Sequence, residues 1–271
     1  MEHITVGDTT VPALGFGTSG MDTDDERYRA VSAALEAGYR HIDTAQMYDS
    51  ESAVGDAIHD ADVDREEVFV TTKLLGENRA HDAVIESTHD SLDRLDTEFV
   101  DLLLIHSPDQ EPSHEETLNA MNELVDEGAV ENVGISNFSV EETRTAIEHS
   151  DAPILTNQVE YNVHERRDDL LSFCLDHDVM LTAYSPLGVG DCLNDEVVRR
   201  IADDHDRTPA QVVIRWLLQQ PLVSPIPMSS NPDHVWANAD VFDFELTDDE
   251  MRDLFAVGGD LDDDLASKLG L

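Results

Sequence analysis

Eight short runs of β-branched and aliphatic residues recur along the chain, and helical patterns fill the spaces between them. The runs are 13–17, 39–43, 68–73, 100–106, 130–136, 156–160, 179–184 and 222–226. Up to the seventh they end about 24 to 33 residues apart, and the eighth follows after a longer gap. The intervening segments carry helix-start signals. Thr23 and Ser139 each stand three residues before a glutamate, as in a capping box. Thr208-Pro209 places a cap oxygen before a proline at the first helical turn. Eight strand–helix repeats in 271 residues predict an α/β protein, a closed (β/α)8 TIM barrel, in a single domain spanning residues 1–271. Two additions fall outside the repeat. Residues 1–12 read as an N-terminal hairpin turning at Gly7-Asp8, and residues 246–271 read as a short C-terminal extension, a last helix and an acidic tail. The competing fold, a doubly wound open sheet, needs a phosphate loop after the first strand. Gly15-x-Gly17-x-x-Gly20 spells one, but the Asp22, Asp24 and Asp25 that follow would oppose a pyrophosphate.

Charge narrows the function. Sixteen basic residues against sixty acidic ones leave a net charge of −44, which repels phosphate backbones and excludes nucleic acid as a partner. Arginines number 14 and lysines two, Lys73 and Lys268. The acids recur along the whole chain instead of forming a tail, which is the surface expected of a salt-in halophilic protein. No apolar stretch is long enough to span a membrane, and the first residues carry no apolar secretory region, so a cytoplasmic protein is expected. Cys174 and Cys192 are expected to be reduced.

In a TIM barrel the site lies at the C-terminal ends of the strands. Those ends carry Asp43 and then Tyr48, Lys73, His106, Ser136-Asn137, Asn157-Gln158 and Tyr184-Ser185. A chain with almost no lysine that keeps one at a strand end needs a compact ammonium there, not a planar fork. A free phenol titrates near about 10, and a neighbouring ammonium favours its ionised form. A carboxylate keeps such an ammonium charged and oriented, and a neutral imidazole can hydrogen-bond a carbonyl oxygen. Tyr48, Lys73, Asp43 and His106 therefore make a proton-transfer unit suited to reversible carbonyl reduction. No side chain donates hydride, so a nicotinamide or flavin is required. The remaining histidines do not cluster as metal ligands, and no metal is expected.

Six segments, in order along nearly the whole chain, resemble the aldo-keto reductase family. They are Gly38-Tyr-Arg-His-Ile-Asp-Thr-Ala-Gln-Met-Tyr48-Asp-Ser-Glu51, Thr71-Thr-Lys73, Leu104-Ile-His-Ser-Pro108, Gly134-Ile-Ser-Asn-Phe138, Asn157-Gln-Val-Glu-Tyr161 and Ala183-Tyr-Ser-Pro-Leu-Gly188. The resemblance implies NAD(P)H-dependent reduction of aldehydes or ketones, with Asp43, Tyr48, Lys73 and His106 as the catalytic tetrad and Tyr48 as the acid. It implies that Ser136, Asn137 and Gln158 hold the nicotinamide carboxamide and that Tyr184 stacks beneath the ring. Gly17, Thr18, Ser185 and Leu187 would touch the cofactor, and Asp43 borders it. It further implies a monomer acting on a small-molecule carbonyl substrate.

Departures from the family pattern carry information. Ser107 stands where the motif commonly continues with tryptophan, and Ser19 where an aromatic residue is common. With a short loop after His106, these changes predict an open pocket for small or polar carbonyls, contacted by Tyr48, His106, Ser107 and Met47. After the eighth strand the family's lysine and arginine for the 2′-phosphate of NADP are replaced by Met228 and His234, while Ser229, Ser230 and Asn238 remain as cofactor contacts. Dual use of NADP and NAD is therefore expected. Two other readings compete: a nucleotide-binding regulatory or interaction barrel without significant turnover, and a Schiff-base aldolase using Lys73.

The composition generates one prediction. About 1 M salt shortens the Debye length to roughly 3 Å and screens the acidic self-repulsion. The thermal midpoint and the activity should therefore rise steeply from dilute buffer to molar KCl. A midpoint unchanged or higher in dilute buffer would sink the halophilic reading.

Overall fold

The computed structural model describes residues 2–108 and 111–271. The chain opens with β1 (His3–Val6) and β2 (Thr9–Pro12), an antiparallel hairpin pairing His3 with Pro12. Alternating strands and helices then follow. They are β3 (Phe16–Gly17), α1 (Asp24–Glu36), β4 (His41–Asp43), α2 (Glu51–Asp60), β5 (Phe69–Leu74), α3 (His81–Leu95), β6 (Val100–Ile105) and α4 (His114–Glu127). Next come β7 (Val130–Ser136), α5 (Val140–His149), β8 (Ile154–Glu160), α6 (Asp168–His177) and β9 (Met180–Tyr184). The long gap before the last strand holds two helices, α7 (Glu196–Asp204) and α8 (Pro209–Leu218), and leads to β10 (Val223–Pro225). Three helices end the chain: α9 (Pro232–Ala239), α10 (Asp248–Val257) and α11 (Asp263–Leu269).

Strands β3 to β10 pair in parallel in sequence order. The sheet closes on itself where the Gly15 N–H donates to the Pro225 carbonyl (3.0 Å) and the Gly17 N–H to the Pro227 carbonyl (3.2 Å). The prolines have no N–H to return, so this seam is bonded in one direction only. It also explains the glycines. A Cβ at Gly15 would stand 2.6 Å from His41 Nδ1, and one at Gly17 would stand 3.0 Å from the Ile226 carbonyl oxygen. Gly15-x-Gly17 thus serves a close strand approach, not a phosphate loop, and the open-sheet alternative falls.

The hairpin plugs the N-terminal mouth of the barrel. Val6 and Val11 pack with Phe69, Leu102, Leu104, Leu155 and Met180, which point down the barrel interior. Outside the sheet, Trp216 is fully buried, stacked on Tyr161 and edge-on to Phe255.

The caps form with one change. Ser139 and Thr208 each complete a reciprocal capping box. At α1, Thr23 accepts from the Glu26 N–H, but the Glu26 carboxylate accepts from the Asp22 N–H, one residue outside the box. The expectation for the chain's end is corrected more fully. The acidic tail is helix α11, because Asp262 caps it, Leu265 buries its apolar face and Lys268 donates to Ser172 and Asp176 on α6. Cys174 and Cys192 are both buried free thiols. No helix among the described residues is long and apolar enough to cross a membrane.

Candidate active site

Sheet closure brings the strand ends onto one rim, and the side chains singled out from the sequence converge there. Asp43 ends β4, and Lys73 lies near the end of β5. Their pair is buried: Lys73 Nζ donates to Asp43 Oδ1 at 2.5 Å and to the Thr44 carbonyl at 2.8 Å. The other oxygen, Oδ2, accepts from Gln158 Nε2 at 2.7 Å. The carboxylate is therefore bonded on both sides, as a buried charge requires. Tyr48 ends a single 3₁₀ turn, Gln46–Tyr48. Lys73 Nζ lies 4.9 Å from its ring centroid. His106 follows β6 and meets Tyr48 edge-on, with ring centroids 5.7 Å apart. Burial first, and then the Lys73 charge, lower the His106 pKa from 6.5 to about 4. The imidazole is neutral at physiological pH and keeps one N–H to donate.

Above these groups opens a cleft of about 580 Å³. Its lining includes Gly17, Asp43, Tyr48, His106, Ser136, Asn137, Gln158, Tyr184, Ser185, Leu187 and Met228, all anticipated from the sequence. Tyr184 forms a fixed aromatic wall, because its hydroxyl donates to Asn137 Oδ1 at 2.9 Å. Asn137 is held in turn, its Nδ2 donating to the His106 carbonyl (3.1 Å) and to Ser136 Oγ (3.1 Å). Ser136 Oγ donates to the Gln158 carbonyl at 2.8 Å. An aromatic face beside the side-chain amides of Asn137 and Gln158 fits a planar ring bearing a carboxamide.

Other anticipated residues stand elsewhere. Lys73 is completely buried beneath the cleft. Thr18 is also buried and does not border the cleft; its hydroxyl donates to the Asp43 carbonyl at 3.0 Å and so braces the end of β4. Met47 is exposed, since the 3₁₀ turn that brings Tyr48 to the cleft leaves its neighbour facing out, and neither Met47 nor Ser107 lines the cleft wall. Ser229 and Ser230 precede α9, with His234 in its first turn, and Asn238 is buried along it; none of the four borders the cleft itself. Of the loop after His106, Asp109 and Gln110 lie outside the described residues.

Sequence reading missed Val189 and Gly190, which cover one side of the cleft within the stretch Gly188–Asn194. The one available signal was an apolar residue between two glycines. It also missed the contact of Gln158 with Asp43, which joins residues 115 apart and leaves no mark on local pattern. The described residues contain no group of three or more potential metal ligands.

A parallel eight-stranded barrel with this rim defines an oxidoreductase-type site. The comparisons give the family. The model of the aldo/keto reductase family matches residues 13–258, and the chain belongs to that family. It is 34% identical over 250 residues to a glyoxal reductase of Bacillus subtilis, covering 92% of this chain and 90% of that one. It is 39% identical over 264 residues to a methylglyoxal reductase of Escherichia coli O157:H7, covering 96% and 97%. The crystal structure of a Bombyx mori aldo-keto reductase in complex with NADP superposes with a TM-score of 0.88 at 31% identity, covering 94% of this chain and 92% of that one. The protein is thus an NAD(P)-dependent oxidoreductase that reduces carbonyl groups, and neither the regulatory barrel nor the aldolase is favoured.

The His106 environment generates a prediction with a defined sign. The unfolded chain binds a proton near 6.5, while the folded imidazole resists protonation until about 4. The buried His41 behaves the same way, lowered to about 4 mainly by burial. Their contribution to stability is complete above 6.5 and is lost as pH falls from 6.5 towards 4. An NMR titration of the His106 ring in molar KCl should give a midpoint near 4. A midpoint near the ordinary imidazole value would refute this environment.

Proposed function

We propose that this chain reduces small aldehydes and ketones, α-dicarbonyl compounds foremost, with Tyr48 as the proton donor. The observation that carries the reading is the buried Lys73–Asp43 pair beside Tyr48, with a neutral His106 across the cleft floor. When bound, the nicotinamide supplies the hydride. The chain's own residues do the rest. The His106 N–H holds the substrate carbonyl oxygen against the Tyr48 hydroxyl, which gives up its proton as the oxygen gains charge. The Lys73 ammonium stabilises the negative charge left on the phenol, and Asp43, bonded to both Lys73 and Gln158, orients that ammonium. Ser136, Asn137 and Gln158 would hold the carboxamide, and Tyr184 would fix which ring face meets the substrate. Gly17, Ser185 and Leu187 would pack along the cofactor.

The substrate class draws support from the relatives, which are named for glyoxal and methylglyoxal, and from the small Ser19 on the cleft wall where the family commonly has an aromatic residue. Cofactor use is read as dual. Met228 borders the cleft and His234 sits in the first turn of α9, so no fixed cation stands at either position. Ser229, Ser230 and the N-terminal amides of α9 can still receive a phosphate. A monomeric, cytoplasmic, salt-adapted enzyme in one domain completes the reading.

Two measurements test it. Tyr48→Phe should keep cofactor binding and lose about 10²- to 10⁴-fold in rate. Near-normal turnover with cofactor bound would overturn the role of Tyr48. In one high-salt buffer, kcat/KM with NADPH should exceed that with NADH by well under about a hundredfold, since about 1 M salt screens phosphate contacts. A larger preference would defeat the dual-cofactor reading.

A further inference from the structure

Three members of the site are held by the barrel: Asp43 and Lys73 on strands and His106 directly after one. Tyr48 is not. It ends a 3₁₀ turn whose Ala45 N-cap supplies no side-chain bond, and the turn's own backbone bond runs from the Tyr48 N–H to the Ala45 carbonyl. The next residue, Asp49, is left-handed, with φ 53° and ψ 34°. Such a turn is weakly self-supporting, so the place of the phenol depends on outside contacts.

Two side chains supply them. Gln46 anchors the start: its Oε1 accepts from the Leu75 N–H (2.8 Å) and its Nε2 donates to the Ser87 carbonyl (3.1 Å). Arg27, from α1, anchors the end. Its Nη2 donates to the Tyr48 carbonyl (2.9 Å) and its Nη1 to the Asp49 carbonyl (2.8 Å). The Arg27 side chain is 12% exposed, and its acid partner, Asp24, is 78% exposed. The guanidinium is therefore held less by the exposed Asp24 than by the two carbonyls it reaches. The guanidinium fork spans both at once, which a single ammonium does less well.

We propose that Arg27 is a positioning residue for proton transfer: by gripping the Tyr48 and Asp49 carbonyls, it sets where the Tyr48 hydroxyl stands at the cleft. The inference rests on the reading of Tyr48 as proton donor. Without the fork, the two carbonyls turn to water and the left-handed Asp49 loses its restraint. A displacement of about 1 Å in a reacting group costs on the order of 10²-fold in rate.

The test is a double-mutant cycle in molar KCl with methylglyoxal and NADPH. It uses Arg27→Ala, Arg27→Lys, Tyr48→Phe and the Arg27→Ala/Tyr48→Phe double variant. Arg29→Ala serves as control, because Arg29 pairs only with the exposed Asp25 among the described ion pairs. Arg27→Ala should lower kcat by about 10- to 100-fold and leave the NADPH dissociation constant within about threefold. Arg27→Lys should fall in between. In the Tyr48→Phe background, Arg27→Ala should cost less than about threefold, because a positioning residue has nothing left to position. Equal losses in both backgrounds, or an unchanged kcat in Arg27→Ala, would overturn the proposal. Should Arg27→Ala not fold, Arg27→Lys carries the same comparison, with a kcat loss confined to the tyrosine background as the expected result. A Tyr48→Phe enzyme with normal turnover defeats the proton-donor reading and this inference together. An inactive Tyr48→Phe enzyme beside an unaffected Arg27→Ala enzyme defeats this inference alone.

Discussion

The arrangement of the site depends on one buried ion pair, Lys73 with Asp43. Removing both charges from water is costly, and the protein meets that cost with geometry. The partners come from three strands of the rim: the carboxylate and the Thr44 carbonyl from the end of β4, the ammonium from β5 and an amide from Gln158 on β8. These contacts form together only when the sheet is closed. Losing either charge would strand the other in a dry interior, at about 3–5 kcal/mol. The same ammonium lies beside the Tyr48 ring, and after burial its charge is the next cause that keeps His106 neutral.

The rest of the electrostatics serves a different end. Apart from the buried Glu51 and Asp101, the remaining described acids reach solvent, and the few cations are placed with economy. Arg65 binds the carbonyls of Val68 and Phe99 together with Asp101, tying the start of β5 to that of β6. Arg166 holds the Gly259 and Asp260 carbonyls after α10, and Arg215 reaches Glu2 before the hairpin. These arginines act as multi-donor clips between distant segments. Such short, half-buried contacts survive high ionic strength, while the long-range repulsion among the surface acids does not. Arg27 belongs to this group, and it is the member whose clip reaches the site.

Much of this was legible beforehand. Each of the eight runs overlaps a barrel strand, because a strand buried on both faces is mostly aliphatic and β-branched along its length. Polar residues that end such runs have only the rim to occupy, so Asp43, Lys73, His106 and the pairs at Ser136 and Tyr184 could be placed from order alone. Helix starts were readable because a cap is a bond between residues three apart.

What the sequence by itself determined, then, is the barrel, its repeat and the identity of the rim side chains, since each follows from local period and residue chemistry. Tertiary structure decided what those side chains touch. It bonded the Thr18 hydroxyl to the Asp43 carbonyl and left Met47 exposed, bonded Gln158 to Asp43, folded the acidic end into α11 against α6, and brought Arg27 to the Tyr48 and Asp49 carbonyls. These contacts join residues far apart in the chain or depend on the direction of one short turn. Such contacts are set by the closing of the sheet and the packing of helices around it, and neither leaves a periodic trace in the order of the residues.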